Sequence, residues 1–131
     1  MKKDIDIPEV RGIFVAAVQE QHPEFGTLDW NVYLINESGY VLETVLIRSV
    51  GTSSEKRSST LRHRLEELPD RSFAKVEFLH EDLLALKNCF SVSYFARGKL
   101  FHKDFVFSEN SIRQSKLQPI PLIEKSGILI T

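Results

Sequence analysis

Apolar and polar side chains alternate along most of this chain, and a period of two is the mark of β-strands. Val10, Gly12, Phe14, Ala16 and Val18 interleave with Arg11, Ile13, Val15, Ala17 and Gln19. Both sets are largely apolar at their centre, which suits a central strand more than an edge strand. Gln21 to Gly26 carries Pro23 and Gly26 and reads as a loop. Trp30, Val32 and Leu34 then alternate with Asn31, Tyr33 and Ile35 in a second strand. Asn36-Glu37-Ser38-Gly39 has the composition of a hairpin-closing turn. A long strand is predicted from Tyr40 to about Val50, with Leu42 and Leu46 on one face and Val41, Val45 and Ile47 on the other.

Gly51 to Ser59 is polar and serine-rich, the composition of a solvated loop. Beyond it Leu61, Leu65 and Leu68 recur at helical spacing, with Thr60 as N-cap and Pro69 as stop. The spacing predicts a short amphipathic helix over 61–68. Ala74, Val76 and Phe78 mark an inward strand face, and Leu79 to Lys87 fits a helical turn. Phe90, Val92 and Tyr94 alternate with Ser91, Ser93 and Phe95, and Arg97-Gly98-Lys99 turns the chain into a strand with Phe101, Phe105 and Phe107 on one face. Ser108 to Ser115 reads as a polar loop. Pro119 and Pro121 confine 118–123 to an extended or edge segment. Ile128-Leu129-Ile130 is a last short strand. Read as an edge, it offers pairing to a second copy; read otherwise, it completes its own sheet.

The predicted architecture is mainly β, an antiparallel β-sandwich with one or two short helices. A small barrel-like α+β domain is the alternative. At 131 residues and 42% hydrophobic content the chain fits a single domain, 1–131, that needs no disulfide or metal to fold. Seventeen basic residues against 18 acidic ones give a net charge of −1, so no global field draws it to nucleic acid or an anionic membrane. One cysteine, Cys89, excludes an intramolecular disulfide and suits a reducing compartment. Asp4 and Asp6 follow Lys2 and Lys3 where a signal core would begin, and the run Ile13 to Val18 is far short of a bilayer span. Cytoplasmic location is the expectation.

Candidate chemistry is sparse. His22, His63, His80 and His102 have no metal-ligand spacing, and the neighbours His80-Glu81-Asp82 point apart on any regular backbone. Cys89 reads as core, and no serine sits in a nucleophile elbow. Gly51-Thr52-Ser53-Ser54-Glu55-Lys56 lacks the second glycine and the Lys-Ser/Thr of a phosphate loop. Arg97-Gly98 is followed by Lys99, where an RNA-reading sheet requires an aromatic ring. The sharpest feature is the basic cluster Lys56, Arg57, Arg62, His63 and Arg64, a candidate anion-binding patch. On a helix, Glu66 and Glu67 would partly neutralise it. No catalytic residue, cofactor or metal follows from these positions.

Across most of its length the chain resembles a small bacterial family of single-domain proteins. The resemblance rests on Ile5-Asp6-Ile7-Pro8-Glu9-Val10, Thr60-Leu61-Arg62-His63 with Glu66 and Pro69, Phe73-Ala74-Lys75-Val76-Glu77, Leu86-Lys87-Asn88, Gln118-Pro119-Ile120-Pro121 and Gly127-Ile128-Leu129-Ile130. Members commonly carry the label phenylalanyl-tRNA synthetase alpha subunit or are called uncharacterised. The resemblance thus implies a tRNA-associated role. The arginine–glutamate pair and the glycine-rich, arginine-bearing segment of that synthetase class are absent from this sequence. The expectation is therefore a non-enzymatic domain that binds a macromolecule, protein before RNA, through the loop and helix at 52–64 or through a sheet edge.

Overall fold

The computed structural model describes residues 8–131. Lys2 to Asp6 and the Ile5–Ile7 part of the family-like motif lie outside the described residues. The alternating segments form β1 (Ile13–Gln21), β2 (Leu28–Asn36), β3 (Leu42–Thr52), β4 (Leu61–Leu68), β5 (Ser72–Leu79), β6 (Lys87–Ala96), β7 (Lys99–Phe107), β8 (Gln118–Pro119) and β9 (Ser126–Ile130). They make two antiparallel sheets, ordered β5-β2-β1-β9-β8 and β4-β3-β6-β7. Their inner faces share one core, to which β1 and β2 bring Ile13, Val15, Val32 and Leu34 and β6 and β7 bring Phe90, Val92, Phe105 and Phe107. This is the expected sandwich; neither sheet closes into a barrel.

The doubly apolar β1 does lie inside its sheet, between β2 and β9. Its outer face is covered too: Ala16 and Val18 pack with Ile35, Ile120 and Ile123 in a second, smaller core. The C-terminal segment thus folds back over the five-stranded sheet, and Pro119 sits in the edge strand β8, where its missing N–H costs no ladder bond. Asn36 ties the sheet crossings together. Its Nδ2 donates to the carbonyls of Tyr40 (2.8 Å), Leu68 (3.0 Å) and Pro69 (3.0 Å).

Several expectations are corrected. Residues 61–68 are a strand, and among the described residues short helical turns occur at Glu81–Leu83 and Gln114–Lys116. Leu61 and Leu65 fit a period of two as well as a helix, and pairing with β3 decides the matter. Asn36–Gly39 joins two different sheets and closes no hairpin. Leu42 and Val45 are both buried while Leu46 is 47% exposed, because the ladder slips between Glu43 and Leu46 around Thr44, at φ 47°. A second irregularity, opposite Val32/Tyr33, turns Glu77 inward and leaves Phe78 exposed. Cys89 is half-buried on the outer face of β6, outside the core. β9 completes its own sheet: it pairs with β1 along Gly127–Ile130 and with β8 at Ser126–Gly127. Among the described residues no helix is long and apolar enough to cross a membrane.

Candidate functional site

Opposed residues in an antiparallel ladder share a face, so the pairing of β4, β3, β6 and β7 lays side chains in rows across the outer face of the four-stranded sheet. One row runs Arg62, Arg48, Ser91, Asp104; the next runs Arg64, Leu46, Ser93, His102. A depression of about 330 Å³ on this face is lined by Leu46, Arg48, Arg62, Ser91, Ser93 and His102. Arg64 is committed to Glu66, Nε to Oε1 at 2.7 Å. The hydrogen bond and the charge of each hold the Glu66 carboxyl below and the Arg64 guanidinium above their ordinary ranges. Arg48 and Arg62 face each other with no ion-pair partner among the described residues.

His102 is held between two partners. Asp104 Oδ1, an acceptor when ionised, takes a hydrogen bond from His102 Nε2 at 3.1 Å. That leaves Nδ1 to accept from Ser93 Oγ at 2.7 Å. The order Ser–His–Asp is that of a nucleophile relay, but His102 and Asp104 are 52% and 54% exposed. Water competes for every link of such an array, so the arrangement orients the imidazole more than it activates the hydroxyl.

The five sequence-predicted residues separate. Arg62 and Arg64 lie on this outer face; Lys56 and Arg57 are exposed in the loop between β3 and β4. That loop is closed by Ser53 N donating to Lys56 O at 2.8 Å and by a bridge between Thr52 and Arg57. His63 points the other way, into the gap between the sheets. There Glu77 Oε1 accepts from both His63 Nε2 (2.8 Å) and Ser49 Oγ (2.6 Å). Both donors converge on one carboxylate oxygen, so the cluster clamps β3, β4 and β5 together. Among the described residues no group of three or more His, Cys, Asp or Glu side chains is placed to hold a metal ion.

Arg48, Ser93 and His102 escaped the sequence reading. A helical 61–68 hides them, since only strand pairing brings Arg62 opposite Arg48. The usable signal was the alternation Arg62, Arg64, Glu66, which is also a polar strand face. No protein-family model matches the sequence, and comparison with curated proteins yields no significant match.

Proposed function

We propose that this chain is a non-catalytic, cytoplasmic binding domain that takes an acidic segment of a protein partner across the outer face of its four-stranded sheet. The observation that carries this reading is the opposed pair Arg48 and Arg62. Like charges directly across a ladder destabilise it, and an anionic partner relieves that repulsion. The same face exposes Leu46, Phe95, Leu100 and Val106, at 40–55%. Mixed arginine and apolar surface suits a polypeptide better than a phosphate backbone, which asks for continuous positive charge. Lys56 and Arg57 border the face from the β3–β4 loop.

The test is binding of a fluorescent polyglutamate-containing peptide, and of tRNA, at low and moderate salt. The peptide should bind at low salt, and the Arg48→Ala/Arg62→Ala double variant should weaken it by about tenfold, two exposed pairs at roughly 0.5–1 kcal/mol each. Binding of tRNA alone would turn the reading to the tRNA-associated role that the family resemblance implies. A second copy is a lesser candidate partner. Among the described residues, the side of β9 away from β1 carries no strand pairing beyond Gly127, and a monomeric mass by light scattering rejects this partner.

A further inference from the structure

We propose that the opposite face of the sandwich, the outer face of the five-stranded sheet, binds a neutral saccharide. A cavity of about 810 Å³ lies there, lined by the end of β1, the β1–β2 loop, β2, β5 and Lys125. That volume falls in the range of small-molecule sites, about 300–1,000 Å³.

Asn31 lies at its floor and is 8% exposed. Its Nδ2 donates to Glu20 Oε1 at 2.8 Å. A carboxylate only accepts, so the amide cannot be turned round, and its Oδ1 is left without a donor among the described residues. A buried carbonyl oxygen with no donor from the protein is uncommon, and a water or a ligand hydroxyl in the cavity would supply one. Glu20 is already engaged, by Tyr33 Oη at 2.8 Å and by Lys125.

Around this orphan acceptor stand two carboxylates, Glu20 and Asp29, and two ammonium groups, Lys75 and Lys125. Their charges balance, which favours an uncharged ligand. Acceptors and donors line the same cavity, which favours hydroxyl groups, since each can donate and accept.

The walls are aromatic. Phe78 stands directly across the ladder from Asn31 and is 49% exposed. Phe25, 76% exposed, stacks on His22 with ring centroids 4.6 Å apart. Its loop is fixed by His22 Nδ1, which accepts from Glu24 N (3.1 Å) and Phe25 N (3.2 Å), and by His22 N donating to Thr27 O (2.7 Å). Both rings line the cavity and are exposed there, Phe25 from a loop held by these bonds and Phe78 from β5, and the C–H face of a pyranose packs against exposed aromatic surface.

The test is a ¹H–¹⁵N NMR titration of the full chain with glucose, galactose, N-acetylglucosamine, cellobiose and chitobiose. At least one sugar should shift the Asn31 side-chain amide and the Phe78 backbone amide together. Phe25→Ala and Phe78→Ala should each weaken that sugar by about threefold to tenfold while unfolding temperatures hold, both rings being exposed. Absence of any shift at Asn31, shifts indifferent to both variants, or a response to adenosine in place of the sugars would overturn the proposal.

Discussion

Asn36 does the work of three caps. With no exposed surface, it supplies the donor for three carbonyls at the junction of β2, β4 and β5, and its Oδ1 accepts from Ser38 N (3.0 Å) and Oγ (2.7 Å). Replacement by leucine strands those groups, and we expect a loss of about 2–4 kcal/mol in urea unfolding. Glu20 is a partly buried, pH-sensitive residue. Burial works to raise its carboxyl, but hydrogen bonds from Lys125, Asn31 and Tyr33 and the Lys125 charge outweigh it, so the group lies below its ordinary 4.5. Tyr33, partly buried beside that carboxylate, is pushed up to about 12. A depressed folded value means that the unfolded chain takes up the proton first. The stabilisation is therefore full at neutral pH and is lost as pH falls from 4.5 through the lower folded value. Glu20→Gln should be less stable than the parent by about 1–2 kcal/mol at neutral pH. The difference should shrink towards nothing in acid, read from unfolding midpoints across pH.

The elements show where local pattern is a sufficient guide. The β6–β7 hairpin was legible because Arg97 and Gly98 take positive φ, 53° and 73°, as a two-residue turn between twisted strands requires. Segment 61–68 was not, because Leu61 and Leu65 fit both periods while Leu68 keeps the helical spacing, and only pairing with β3 chooses between them. The C-terminal elements depend on one glycine. A Cβ at Gly127 would stand 3.0 Å from Val18 Cα and closer still to Ala17 O, backbone atoms that cannot swing aside. Gly127→Ala should detach β9 and uncover the small core of Ala16, Val18, Ile120 and Ile123. Hydrogen exchange should rise across 117–131 while β6 and β7 stay protected.

At the scale of the whole molecule, both sheets draw on one main core, and the five-stranded sheet's separate cluster of Ala16, Val18, Ile35, Ile120 and Ile123 is small beside it. Trp30, 7% exposed on β2, packs in that core beside residues of the other sheet. Its fluorescence and the far-ultraviolet circular dichroism should therefore lose signal at the same urea concentration, with a slope of about 1–3 kcal/mol per molar. Separate transitions would mean that the sheets unfold independently. The two outer faces differ in kind: one carries opposed arginines, the other a charge-balanced cavity between phenyl rings.

Alternation of side chains settled the β class, most strand positions, the inward phenylalanines of β7 and the central position of β1, because burial is written locally as a period of two. Tertiary pairing decided the rest. The irregularities at Thr44 and opposite Val32/Tyr33 reversed which residues face the core, the β3–β4 ladder made a strand of 61–68, and the sheet order set Arg48 against Arg62 and Phe78 beside Asn31. Each of these depends on register between segments distant in sequence, and a register that slips by one residue exchanges core for surface without changing any local composition.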